Sequence, residues 1–162
     1  MREPASSCDN AFSARVALEV RDDCLCFGAQ RTARELARHF DRLFAELGLT
    51  NGQFSMMVAM GGMGAPKLGE LATFLGMDHA TVTAALRKLE RRGWAAVRTD
   101  SKDGRARRVS ITEAGTALFA RAVPLWREEH AKLAAELDGD ATAIRDQMMR
   151  LAPPLRWTAT AA

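Results

Sequence analysis

Leu68-Gly69-Glu70-Leu71-Ala72-Thr73-Phe74-Leu75-Gly76-Met77-Asp78-His79-Ala80-Thr81-Val82-Thr83-Ala84-Ala85-Leu86-Arg87-Lys88-Leu89 decides the reading of this chain, because apolar residues fall at helical spacing on both sides of one glycine. Leu68, Leu71, Ala72 and Leu75 share a face, and Gly76 stops that helix and opens a tight turn. Asp78 caps a second helix through its carboxylate, and Val82, Ala85, Leu86 and Leu89 recur at i, i+3, i+4 and i+7, which defines its buried side. The opposite side carries Ala80, Thr83, Ala84, Arg87 and Arg91, with His79 and Thr81 in the first turn. Small groups, hydroxyls and charge in that arrangement suit entry into a major groove.

Gly93 ends the second helix. Trp94–Arg98 and Arg107–Ile111 then predict two strands joined through Ser101-Lys102-Asp103-Gly104-Arg105, with Asp-Gly as the hairpin signal. From Arg87 to Arg108 there are nine basic residues and three acidic ones, a balance of +6 in a chain of net charge +3, so the remainder is −3. Positive charge concentrated on one element is the pattern expected for contact with nucleic-acid phosphates. A charged hairpin alone is also an ordinary solvated surface, and it is the helix pair in front of it that turns the expectation to double-stranded DNA. The expected contacts are His79, Thr81, Thr83 and Arg87 on the helix and Arg98, Lys102, Asp103, Arg105 and Arg107 on the hairpin.

Helix, turn, helix, basic hairpin and a further helix is the order of a winged helix-turn-helix. At these residues the chain resembles the MarR family of bacterial transcription regulators, from about Cys24 to Leu151. The resemblance is carried by Leu68-Gly69-Glu70-Leu71-Ala72, Gly76-Met77-Asp78, Leu86-Arg87-Lys88-Leu89-Glu90-Arg91-Arg92-Gly93, Asp100-Ser101-Lys102-Asp103-Gly104-Arg105 and Ile111-Thr112-Glu113-Ala114-Gly115. It implies that Thr81, Thr83 and Arg87 face the major groove, that Arg105 reaches the minor groove from the wing tip, and that Asp103 orients that arginine. It also implies a homodimer made by the flanking helices, acting as a ligand-responsive repressor on a palindromic operator. The chain departs from many relatives in having Ala84 and His79 where a basic residue is common.

The flanking sequence supports a mostly α fold. Residues 1–20 read as an N-terminal arm, 21–49 as a dimerisation helix, 50–115 as the winged helix-turn-helix, and 116–162 as C-terminal dimerisation helices. Leu36, Phe40, Leu43, Phe44 and Leu47 form a stripe on a helix running from about Leu25 to Gly48. Thr50-Asn51-Gly52-Gln53 is a capping box for a helix from Phe54 to about Gly61, after which Gly61-Gly62, Gly64 and Pro66 predict a loop. Thr112 caps a long helix containing Pro124, Asp138-Gly139-Asp140 predicts a turn, and Ile144, Met148 and Leu151 mark a last helix before Pro153-Pro154. These helices offer more apolar surface than one short helix pair can cover, which points to a second copy of the chain.

Two groups stand as sensor candidates. Met56 and Met60, with Met57 and Met63, either line an adaptable pocket for a small apolar ligand or simply fill the core; the family resemblance implies an aromatic or phenolic effector, whose carboxylate Arg31 or His39 would meet. Cys24 and Cys26 are either buried small hydrophobes or a redox pair, and two residues apart on a helix they point to different sides. Cys8 lies in the expected arm. A Cys-x-Cys pair supplies too few ligands for structural zinc, so no metal and no cofactor is expected. His39, His79 and His130 are scattered and no phosphate loop or nucleophile elbow occurs, so no enzyme is expected. Three cysteines, no signal-peptide core and no spanning apolar run lead to the expectation of a cytoplasmic protein with no membrane contact. A winged-helix protein-interaction module remains the competing class, although it has no need of the +6 segment.

Overall fold

The computed structural model describes residues 13–137 and 140–151. It divides into two compact units that meet between His39 and Phe40. In the first, α1 (Ala14–Asp23) is capped by Ser13, whose hydroxyl accepts the Val16 amide at 3.3 Å. A helix therefore occupies the later part of the expected arm of residues 1–20; Cys8 lies outside the described residues. Cys24 breaks the chain with an extended backbone (φ −80°, ψ 107°), and α2 (Leu25–Leu43) begins there. The expected single helix to Gly48 is corrected: α2 stops at Leu43 and a 3₁₀ turn over Ala45–Leu47 leads to Gly48 at φ 63°. Such tightening satisfies carbonyls that a helix end leaves open.

The second unit holds α3 (Asn51–Met63), α4 (Leu68–Leu75), α5 (His79–Arg91), β1 (Ala95–Thr99), β2 (Arg107–Ile111), α6 (Glu113–Glu136) and α7 (Ala141–Leu151). The Thr50/Gln53 box forms as expected, with the Gln53 amide donating to Thr50 Oγ1 at 3.2 Å and the Thr50 amide to Gln53 Oε1 at 3.0 Å. The predicted loop at Gly61-Gly62 is corrected, since α3 continues to Met63 and turns at Gly64. A helical glycine costs only about 1 kcal/mol against alanine. Buried Met57 and Met60 on the same helix outweigh that. Of the predicted turn at Asp138-Gly139-Asp140 only Asp140 is described, and Pro153-Pro154 lie outside the described residues.

Phe44, Leu49, Met56, Met57, Met60, Leu71, Val82, Leu89 and Val109 are the fully buried centre. Aromatic rings run through it from Phe40 to Phe44 (5.9 Å between centroids), Phe54 (4.9 Å) and Phe119 (5.2 Å, stacked), which joins α2, α3 and α6. Among the described residues no helix is long and apolar enough to cross a membrane.

The start of α6 locks onto the end of the helix pair. Thr112 Oγ1 donates to the Gly93 carbonyl at 2.6 Å and accepts the Gly115 amide at 3.0 Å, while the Thr112 amide donates to the Trp94 carbonyl at 3.2 Å. A Cβ on Gly115 would lie 2.1 Å from the Trp94 carbonyl oxygen and 2.8 Å from Ile111 Cγ2, so only glycine fits. Gly115→Ala is expected to destabilise the fold by about 2–3 kcal/mol, because backbone must move to admit the methyl. Thermal unfolding checks this, and an unchanged midpoint would contradict the packing.

Candidate nucleic-acid interface

The reading face of α5 is set from its N-terminus. Asp78 Oδ1 accepts the Thr81 amide at 2.8 Å, the expected cap, and Oδ2 accepts the Thr81 hydroxyl at 2.6 Å. Those bonds, the hydroxyl first, hold the Asp78 carboxyl below its usual range. Thr83 Oγ1 donates to the His79 carbonyl at 2.7 Å. Val82, Leu86 and Leu89 are buried as expected, which leaves His79, Ala80, Thr81, Ala84, Arg87 and Arg91 exposed and Thr83 half-buried. The His79 ring lies 3.4 Å from where a Cβ on Gly69 would stand, so the first turn of α5 sits close over α4.

The wing is a two-stranded antiparallel sheet pairing Ala95 with Ile111 through Thr99 with Arg107. Its loop is built by Asp100, to which the sequence assigned no contact of its own. Asp100 is 4% exposed, and its Oδ1 accepts the amides of Lys102 (2.8 Å) and Asp103 (2.9 Å) while Oδ2 accepts Arg108 Nε. The expected Asp-Gly turn forms the tip, the Ala106 amide donating to the Asp103 carbonyl at 2.9 Å, although Gly104 is not in the left-handed region. Arg108 Nη1 also donates to the Ala65 carbonyl at 2.9 Å, and the Val109 amide to the Pro66 carbonyl at 3.0 Å, which fastens the wing to the segment before α4. Lys67 Nζ stands 3.7 Å from Asp103 Oδ2 across the same junction.

Arg98, Lys102, Asp103, Arg105 and Arg107 are all exposed on this hairpin. Asp103 engages Arg105 through the backbone, Oδ1 accepting the Arg105 amide at 3.1 Å. Arg107 Nη1 donates to Thr99 Oγ1 at 2.9 Å. Arg108 and Arg92 serve the fold instead: Arg92 Nη1 donates to the Gly48 carbonyl at 2.7 Å and its guanidinium lies 4.8 Å from the Trp94 ring centroid.

The expected effector residues are divided between the two units. Arg31 and His39 belong to the first unit, Met56 and Met60 to the second. Met56 is core (2% exposed), while Met60 borders a cleft of about 480 Å³ with Met57, Ile111 and Phe119. A second cleft, of about 610 Å³, has Phe54, Phe74, Phe119 and Trp126 as walls and Asn51 and Arg127 at its edge. Arg127 went unnoticed in the sequence because it is one of many arginines on polar helix faces.

Of the two alternatives for the cysteines, burial as small hydrophobes is not what the structure has, since Cys24 is half-buried and Cys26 exposed. Cys24 Sγ accepts the Phe27 amide at 3.4 Å, making it the N-cap of α2, and Cys26 Sγ accepts Gln30 Nε2 at 3.1 Å. Arg21, three positions before Cys24, is bound instead by Asp22 at 2.6 and 2.8 Å.

A helix-turn-helix whose second helix bares a polar face beside a basic wing defines a winged-helix DNA-binding regulator. Residues 47–106 match the MarR family. The crystal structure of the M. tuberculosis transcriptional regulator MosR in complex with DNA superposes with a TM-score of 0.73 at 33% identity, covering 80% of this chain and 93% of that one. The transcriptional activatory protein BadR of Rhodopseudomonas palustris is 31% identical over 113 residues, 66% of this chain and 61% of BadR. The organic hydroperoxide resistance transcriptional regulator of Bacillus subtilis is 25% identical over 101 residues, 62% of this chain and 69% of that protein. The chain belongs to the MarR family, and these relatives are transcription regulators, not enzymes.

Asp100 is held below the usual carboxylate range, chiefly by the Lys102 amide and also by the Arg108 and Asp103 bonds. A depressed carboxyl stabilises the fold above its unfolded value of about 4 and loses that contribution as pH falls through the folded value. The wing is therefore expected to be insensitive to pH between about 5 and 8 and to loosen below about 4. Asp100→Ala is expected to speed hydrogen exchange at Lys102 and Asp103 and to weaken DNA binding already at neutral pH; unchanged exchange would refute the clamp.

Proposed function

We propose that the protein is a homodimeric, sequence-specific repressor that binds a palindromic operator, with α5 in the major groove and the wing loop over the adjacent minor groove. The observation that carries this is the exposed α5 face beside a basic wing, in a fold similar to that of a regulator bound to DNA. Apolar side chains left exposed support a second copy: Val16, Leu18, Val20, Leu25 and Phe27 in the first unit, and Leu137, Met148, Met149 and Leu151 in the second. The sign of regulation depends on where the operator lies relative to the promoter; a dimer seated over the polymerase site represses.

A two-fold dimer reads a two-fold site, so DNA selected from random sequence is expected to be an inverted repeat with half-sites about 10 base pairs apart. Arg105→Ala is expected to weaken binding by about 1–3 kcal/mol with circular dichroism unchanged. Asp103→Ala is expected to weaken it too, although it removes a negative charge, because Asp103 shapes the Arg105 backbone and meets Lys67. Tighter binding by that variant, or a selected site without dyad symmetry, would count against the proposal.

The signal proposed is a small aromatic or phenolic acid in the cleft walled by Phe54, Phe119 and Trp126, with Arg127 at its edge for the carboxylate. A redox signal is the second reading, favoured by Cys24 at a helix N-cap, by exposed Cys26, and by a relative named for organic hydroperoxide resistance. Arg21, the nearest cation in sequence, is bound by Asp22, which ranks it second. Peroxide is expected to leave operator affinity unchanged. Release of wild type but not of Cys24→Ser or Cys26→Ser would reverse the ranking.

A further inference from the structure

The hydroxyls on the reading face of α5 are already committed as donors. Thr81 Oγ1 lies 2.6 Å from Asp78 Oδ2, and Thr83 Oγ1 lies 2.7 Å from the His79 carbonyl oxygen. An ionised carboxylate and a carbonyl can only accept, so in each bond the hydroxyl supplies the proton. What remains on each oxygen is lone pairs. In the major groove the hydrogen-bond donors are the N6 amino group of adenine and the N4 amino group of cytosine, whereas guanine O6 and N7 and thymine O4 are acceptors.

We propose that Thr81, with Asp78 behind it, is an acceptor-only specificity residue that selects adenine or cytosine at the base edge it meets and rejects guanine and thymine. Position favours Thr81: it is exposed in the first turn, the part of a recognition helix that contacts base edges, whereas Thr83, two residues on, is half-buried. Polarity favours it as well. In the chain carboxylate, hydroxyl, base amine, each bond polarises the next in the same sense. A keto oxygen at the same place would face a lone pair backed by a full negative charge. Asp78 therefore has two tasks: capping α5 through the Thr81 amide and setting the direction of the Thr81 proton. The second acts on the base only through Thr81, which makes Asp78 a positioning residue.

The inference rests on the proposal that α5 enters the major groove, and the test separates the two. Sites are selected from random DNA by full-length wild type, Thr81→Ser, Thr81→Val and Asp78→Asn, with thermal unfolding as the fold control. Wild type and Thr81→Ser are expected to prefer adenine or cytosine at one position of each half-site. Thr81→Val keeps the shape and loses the lone pairs, so that preference should fall about fivefold, with the rest of the site unchanged. Asp78→Asn keeps a good cap. Its carbonyl must accept the Thr81 amide, which turns its NH₂ onto Oγ1 and frees the hydroxyl proton outward, so the preference there should move to guanine or thymine. If Asp78→Asn keeps the adenine or cytosine preference, or Thr81→Val loses a guanine or thymine preference, the acceptor assignment is wrong while α5 still reads bases. If no variant changes any position of a site that is still selected, the first turn of α5 does not meet bases and the Thr81 assignment falls, whereas wild type selecting no site at all would overturn the placement of α5 itself.

Discussion

Asp100 is the group on which the wing depends. A carboxylate with 4% of its residue surface exposed is costly to bury unless both oxygens find donors, and here two loop amides meet Oδ1 and the Arg108 guanidinium meets Oδ2. Arg108 extends the clamp to the carbonyl of Ala65, a residue with φ of 60°. That left-handed backbone costs a non-glycine residue about 1 kcal/mol and persists because its surroundings hold it. Loop, strand and the segment before α4 are thus one hydrogen-bonded unit, and the exposed cations of the tip are presented from a fixed base.

The same economy of charge alters how the basic segment should be understood. Nine cations lie between Arg87 and Arg108, but Arg108 is bound by Asp100 and Ala65, and Arg92 by the Gly48 carbonyl beside the Trp94 ring. Their charge still adds to the field that draws a polyanion, while their hydrogen-bond donors are directed inward. Arg87, Arg98, Lys102, Arg105 and Arg107 are exposed, and they are the contacts proposed for DNA. Charge density alone would not separate these roles, since a guanidinium that holds a loop and one that grips a phosphate look alike in sequence.

Position of the reading helix is settled by packing behind it. Val82, Leu86 and Leu89 sit in the core with Leu71 of α4, and the Gly93–Thr112–Gly115 knot joins the end of α5 to the start of α6. α6 also carries Phe119, the last ring of the aromatic series and a wall of both clefts beside α3. An occupant of either cleft would press on the helix that anchors the reading head, which gives the proposed effector a mechanical route to the DNA face.

Local chemistry was legible in the chain itself. The 3.6-residue repeats of α4 and α5, the Asp78 and Thr112 caps, the Thr50/Gln53 box and the basic hairpin all rest on interactions between residues a few positions apart, which sequence spacing determines. What spacing could not disclose depends on residues far apart. Asp100 meets Arg108 eight positions on, and Arg108 reaches back forty-three positions to Ala65. Gly61 and Gly62 remain helical because tertiary burial exceeds a small local preference, and Arg127 of α6 borders a cleft with Asn51 of α3 only once those helices pack. Sequence by itself determined the class of fold and the short-range bonds that commit the α5 hydroxyls; only the tertiary structure decided which charges hold the protein together, because those follow from contacts that chain closure creates.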